Sequence, residues 1–355
     1  AIGVYSFVAA AGGAVGLLAG GVLTQAINWH WIFFVNLPIG IAAAVLAVRL
    51  LDSHRGIGLS QGADIAGGLL VTTALMLGVY TIVEAANYGW GSAHTLGFGA
   101  VAVGLLGAFI VRQTRTATPL LPLRMFRSAT VSGANLVQVL MVAGLFGVFF
   151  LGSLYLQRVL GYDEVEIGLA FLPVALAIGT LSLGFSARLS ARFGARRVLL
   201  PGLALIATGL AVFARAPVDA DYIVDVLPAM LLLGVGGGLS FPALMTLAMS
   251  GATVSDSGLA SGLVNTTQQV GGALGLAVLA TLSTSRSDRL VADGATAATA
   301  LTSGYHLAFA IAAGMVATAI VLAATLLRPA VGAATDAEIE VDSEPSAEGA
   351  YSAAA

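Results

Sequence analysis

Residues 9–21 read AAAGGAVGLLAGG, inside a run from Gly3 to Thr24 that contains no charged residue. A bilayer is crossed by a helix of about 20 apolar residues, so the run is long enough to span one. Yet an interior glycine makes a helix about 1 kcal/mol less favourable than alanine does. Gly12, Gly16 and Gly20 recur at every fourth position, which on a helix gives one stripe about 12 Å long at ~1.5 Å per residue. With Gly13 and Gly21 they form a face without side chains. Apolar helices in lipid gain little from hydrophobic attraction, and close backbone approach holds them together instead. The stripe is therefore expected to pack against a neighbouring helix.

The rest of the chain has the same character. Of its 355 residues 58% are hydrophobic and 9% charged, where a soluble domain carries about 25% charged residues. Mean hydropathy is +0.96. This excludes a soluble globular fold and indicates a polytopic, all-α integral membrane protein. Cysteine is absent, which excludes a disulfide framework and thiolate chemistry. All fifteen basic residues are arginine, and Asp336, Glu338, Glu340, Asp342, Glu344 and Glu348 crowd the last twenty positions. The sequence opens at Ala1, already within a full-length apolar segment and without the basic region of a signal peptide. It is expected to lack the start of the protein.

Apolar runs at 3–24, 31–50, 66–83, 95–111, 130–154, 167–187, 198–214, 226–249, 258–283 and 304–327 predict ten spanning helices. Strands are excluded because an open sheet edge has no partner in lipid and barrel-type alternation is absent. If the helices alternate in direction, Arg49, Arg55, Arg112, Arg115, Arg124, Arg127, Arg188, Arg192, Arg196, Arg197 and Arg328 share one side. The other side holds Arg158, Arg215, Arg286 and Arg289. Positive charge marks the cytoplasmic side, so the first span runs outward and the C-terminus is cytoplasmic. Trp29, Trp31, Tyr88 and Trp90 fit the outer interface. The tail 328–355 has little to bury and is expected to be disordered. Residues 284–303 read as a polar outer loop. The linker 113–129, with four arginines near its two prolines, allows either a basic loop or a short surface helix with Leu121, Leu123, Met125 and Phe126 on the lipid.

Gly3, Gly12, Gly16, Gly20 and Gly21 follow the spacing G-x8-G-x3-G-x3-GG. This resembles the antiporter motif on the fifth helix of drug/proton antiporters of the major facilitator superfamily, although Leu17 stands where that motif has proline. NWHWIFFVNLPIG (28–40) resembles the entry to helix six of its fourteen-helix family. ARLSARFGARRVL (187–199) resembles the superfamily's cytoplasmic loop motif, keeping Leu189, Arg192, Gly194, Arg196 and Arg197 but not its acidic position, which is Ala191. The resemblance implies helices five to fourteen of fourteen. Residues 1–51 would then close the N-terminal bundle. Residues 52–112 would be two additional helices, and 130–327 the six-helix C-terminal bundle. It also implies alternating access in a multi-pass protein of the cell membrane, exporting a drug-like or amphipathic small molecule in exchange for protons. No cofactor, metal or nucleic acid is implied.

Polar residues inside spans are the candidates for transport. Asn135 and Gln138 lie one turn apart on the fifth span, and Asn265, Gln268 and Gln269 share a face of the ninth. Asn135 and Gln138 read equally as cavity-lining or as static interhelical hydrogen bonds, worth ~0.6 kcal/mol each, and for the ninth-span group the static reading leads. Glu84, Glu166 and Asp225 stand at outer span ends. Glu84, which continues the third span, is the candidate among them for a proton relay, although an interfacial carboxylate that reaches water is the simpler reading. The resemblance places the main coupling carboxylate on a helix outside this sequence. GVGGGLSFP (234–242) is glycine-rich like a nucleotide loop but lies inside an apolar span, so helix packing explains it better. GLSF with His306 lacks the second glycine of a serine-hydrolase motif. The rival readings are an exporter of an endogenous metabolite and a non-transporting scaffold or sensor on the same fold.

Overall fold

Each of the ten apolar runs becomes helix in the computed structural model, which describes residues 2–50, 64–116, 118–121, 123–250 and 257–327. They are α1 (Ile2–Ala26), α2 (Trp31–Leu50), α3 (Ile65–Tyr88), α4 (Ala93–Arg115) and α5 (Ala129–Arg158). After these come α6 (Glu164–Thr180, continued by Leu181–Phe185 and Ser186–Phe193), α7 (Ala195–Phe213) and α8 (Tyr222–Met249). The last two are α9 (Ser257–Ala292) and α10 (Ala297–Leu326). No strand occurs among the described residues. Eight of these helices are long and apolar enough to cross a membrane by length and composition: α2 to α8 and α10. α9 is the longest at 36 residues and carries Asn265, Gln268, Gln269 and many hydroxyls along its length.

Polar side chains at the helix starts supply the acceptors that the first backbone N–H groups lack. Asp64 accepts from Gly67 N–H at the head of α3, and Ser92 from Thr95 N–H at α4. Ser128 does the same for α5 and Thr296 for α10. α6 opens on a full capping box, in which Asp163 accepts from Val165 and Glu166 N–H while Glu166 accepts from Asp163 N–H. α8 opens on Asp221, which accepts from Ile223 and Val224 N–H, with Asp225 reaching back to Asp221 N–H. Two of the three outer-end carboxylates noted in the sequence, Glu166 and Asp225, are thus used as caps.

Helices α5 to α10 pack into one bundle around buried Met141, Tyr155, Phe171, Leu203, Phe213, Met230 and Phe309. Glycine sets the closest approaches. A Cβ on Gly236 of α8 would lie 2.6 Å from the Gly202 carbonyl of α7. On the opposite face of α8, Gly234 and Gly238 meet Val174, Ala177 and Leu181 of α6. This is the role of GVGGGLSFP, because side chains there would push three helices apart. Gly271 and Gly275 of α9 sit likewise against Val139 and Ala143 of α5. Outside the bundle, α3 and α4 form a hairpin whose α3 rests on α9, and α1 lies along α6.

Several expectations need correction. Residues 284–292 are helix rather than loop, since α9 runs to Ala292 and the chain turns at Gly294 (φ +88°). Ser287 is buried there, its hydroxyl 3.0 Å from the Ser283 carbonyl and 3.1 Å from that of Ala300, because Gly304 lets α10 close on α9. In the linker, residues 113–115 extend α4, and Leu123–Arg127 forms a 3-10 turn. Met125 of that turn is buried against protein instead of facing lipid, while Phe126 is exposed. α5 and α6 each carry a π-helical turn, at Val148–Gly152 and Leu181–Phe185, which apolar periodicity does not reveal. The tail 328–355 and residues 52–63, with Arg55, lie outside the described residues.

Candidate functional site

The glycine face of α1 is only partly a packing face. A Cβ on Gly21 would lie 2.5 Å from the carbonyl oxygen of Glu164 and 3.3 Å from Val165 Cα, both on α6. Gly12, Gly13, Gly16 and Gly20 have nothing within 4 Å among the described residues, and the first three are exposed. Among the described residues the stripe thus makes one close contact, at the C-terminal end of α1. The surroundings of Gly3 lie outside the described residues. Beside Gly21, the Gln25 amide donates to Asp163 Oδ2 at 3.2 Å and joins the C-terminal end of α1 to the N-terminal end of α6.

The two amide groups part ways. Asn135 and Gln138 on α5 are both buried. The Asn135 amide donates to the Val131 carbonyl (2.9 Å) and its oxygen accepts from the Thr267 hydroxyl of α9 (3.0 Å). Gln138 donates to the Val264 carbonyl of α9 (3.1 Å). In this structure they join α5 to α9 as interhelical hydrogen bonds and do not face open space. On α9, Gln269 and Asn265 are exposed and Gln268 is half-buried. Asn265 donates back to the Ser261 carbonyl of its own helix. The α9 amides are thus on the open flank of the α5–α9 pair. Phe146, against which Gly272 packs, and Phe150 are also exposed on α5. This flank offers amide hydrogen-bonding groups beside aromatic rings, a surface suited to an amphipathic solute.

At the opposite end, the loop motif forms the turn between α6 and α7. Gly194 holds φ +87°, open to glycine at little cost, and its N–H donates to the Ser190 carbonyl. The Arg196 guanidinium donates to the Ala324 carbonyl in the last turn of α10. A cation there meets the partial negative charge of a helix C-terminus. Arg192 lies over the Phe193 ring, 5.3 Å from its centroid, and Arg192 and Arg197 are exposed while Leu189 is half-buried.

The carboxylates are distributed unevenly. Glu84 is half-buried near the C-terminal end of α3 and accepts from Asn87 at 3.1 Å. Asp64 is the one buried carboxylate among the described residues. Arg112 Nε donates to it at 2.7 Å and Gln113 Nε2 at 2.9 Å, both from the end of α4. The hydrogen bond from Gly67 N–H, helped by Arg112 and Gln113, holds its carboxyl below the ordinary value of 3.8. Sequence reading passed over Asp64 because it stands outside the apolar run and its partners are 48 and 49 residues away. An Asp directly before an apolar helix was the available signal for its capping role. Near the start of α6, a shallow cavity of about 290 Å³ is lined by Tyr162, Glu166, Leu169, Ala170 and Tyr222. His306 does not meet Ser240 chemically; it lies 2.8 Å from the Ala216 carbonyl and so presents Nε2–H to it. No group of three or more potential metal ligands occurs among the described residues.

Residues 1–276 match the family model of the Major Facilitator Superfamily. The chain is 37% identical over 333 residues to a puromycin resistance protein of Streptomyces alboniger, covering 92% of this chain and 66% of that protein. It is 35% identical over 289 residues to a tetracenomycin C resistance and export protein of Streptomyces glaucescens, covering 81% and 53% respectively. A cephamycin export protein of Amycolatopsis lactamdurans is 37% identical over 290 residues, with 79% and 58% covered. The chain thus spans from about half to two thirds of the length of these relatives.

Proposed function

The chain belongs to the Major Facilitator Superfamily, and on that footing we propose that it is the larger part of an exporter of drug-like or amphipathic small molecules. The relation to a resistance protein along 92% of the chain, and to two export proteins along 81% and 79% of it, supports this reading. In it, residues 1–51 close the N-terminal bundle, 52–112 add two helices and 130–327 form the C-terminal bundle. The open flank of α5 and α9, with Asn265, Gln268 and Gln269, contacts the solute. The outer contact of Gln25 and Gly21 with Asp163 and Glu164 is the seam that opens as the transporter alternates. Protons are the coupling ion. Amides such as Gln268 and Gln269 bind a solute but carry no proton at ordinary pH. The main coupling carboxylate therefore belongs to a part of the protein outside these spans, with Glu84 the candidate within them.

Two of the three relatives are named for export of a particular antibiotic, which supports export of one compound class, such as an endogenous metabolite, as a second substrate reading. Expression of the full-length protein in a drug-sensitive bacterial host tests both. Raised resistance to several unrelated compounds, puromycin among them, supports the broad reading. Resistance confined to one compound class supports the narrow one. No change in resistance or in accumulation across the panel contradicts export.

A further inference from the structure

The α3–α4 hairpin is fastened at both ends, and both fastenings lead to the α5–α10 bundle. At its inner end, buried Asp64 receives Gly67 N–H of α3 and the Arg112 and Gln113 side chains of α4. Gln113 continues the chain of bonds, since its Oε1 accepts from Leu121 N–H in the linker at 3.0 Å. A few residues on, the linker buries Met125 and enters α5 through the Ser128 cap. The start of α5 is in turn seated on the end of α10, where Gly133 meets Leu326 and Leu327. At the outer end, α3 rests on α9, and the Thr281 hydroxyl donates to the Ile82 carbonyl at 3.4 Å. Neither α3 nor α4 packs extensively on α1 or α2 among the described residues.

We propose that Asp64 is a positioning residue that clasps the hairpin to the linker, so that the hairpin moves as part of the α5–α10 bundle while α1 and α2 move against both. The physical basis is the cost of disrupting the clasp. A carboxylate with no exposed side-chain surface is stable only while its donors stay in place, and separating it from Arg112 leaves a buried charge without its partner. Gly67 is part of the same fit, since a Cβ there would run into the Asp64 carboxylate and the Gln113 amide. The inference that the clasp acts during transport rests on the exporter reading above. The clasp itself does not.

Two arms of one experiment on the full-length protein, with other cysteines removed, keep these separate. In the first, thiol labelling of Leu121→Cys is followed in detergent. Asp64→Ala and Arg112→Gln are expected to speed labelling about tenfold, the effect of losing one buried charged bond. Asp64→Asn placed in the Arg112→Gln background is expected to slow it again, because it removes the stranded charge. Unchanged labelling in both single variants, or no rescue by Asp64→Asn, overturns the clasp. In the second arm, oxidative cross-linking of Ile82→Cys to Thr281→Cys is expected to leave efflux running. Cross-linking Gln25→Cys to Asp163→Cys is expected to stop it. Efflux that stops with the hairpin cross-linked to α9 overturns the common motion. A protein that moves no compound before cross-linking contradicts the exporter reading and leaves the clasp to be decided by the labelling arm.

Discussion

The backbone of α1 at Gly21 meets the backbone of α6 at Glu164 so closely that a Cβ would come 2.5 Å from the Glu164 carbonyl oxygen. Gly16, one turn and a residue earlier, faces no atom within 4 Å among the described residues. The two glycines should therefore respond to the same substitution with opposite sign. Gly21→Ala is expected to destabilise by about 1–3 kcal/mol through overpacking. Gly16→Ala is expected to be neutral or to gain up to ~1 kcal/mol of helix propensity. Thermal unfolding of the purified 355-residue chain measures both, and equal losses at the two sites would refute the single-contact picture.

Gln138 and Gln269 offer a second contrast. Gln138 is buried and bonded across to α9, while Gln269 is exposed on α9. Gln138→Ala is expected to lower stability by about 2 kcal/mol, mostly from the cavity, with the interhelical bond contributing about 0.6. Gln269→Ala is expected to stay within about 0.5 kcal/mol of the parent while changing which compounds are exported. A melting temperature lowered by the Gln269 variant, with an unchanged export profile, would reverse the assignment.

The all-helical character and the positions of the apolar helices were legible because both depend on runs of composition. The arginine-bearing ends do meet: Arg196 reaches Ala324, and Arg112 lies on Asp64, whose network extends to the linker. The capping boxes were also legible in principle, since Asp163 and Glu166 stand three apart before an apolar run. What composition could not tell was which helix face has a neighbour. Asn135 and Asn265 look alike in sequence, yet one is buried against α9 and the other exposed. Ser287 read as loop because Arg286, Asp288 and Arg289 surround it. Its burial depends on Gly304, seventeen residues later.

Acid should reach the Asp64 clasp late. Its carboxyl is held below 3.8 by the Gly67 N–H and the α4 side chains. A depressed carboxylate contributes stability that is present above its ordinary value and lost as pH falls through its value in the folded protein. Hydrogen-exchange protection at the head of α3, corrected for the intrinsic rate, should therefore stay level from pH 8 to pH 5 and fall only below about 3.8. Protection that declines between pH 7 and pH 5 would show that Asp64 takes up a proton in the working range. It would then be a candidate for coupling.

The arginine asymmetry predicts which ends face the cytoplasm. Cysteines at Thr118 and Ala191, both exposed, should be shielded from an impermeant thiol reagent in intact cells. Cysteines at Gly91 and Ser285, also exposed, should be labelled. Ser287→Cys should resist labelling on either side, because its side chain is closed between Ser283 and Ala300. Labelling with the two sides exchanged would overturn the topology.

Efflux by the complete protein is the central claim, and reconstitution measures it most directly. The full-length protein in sealed vesicles, given a pH gradient and a lipophilic cationic dye, should accumulate the dye against its concentration gradient. A protonophore should abolish that accumulation. Dye that never rises above equilibrium, for any member of a broad panel and with the protein shown to be folded and inserted, would contradict the account.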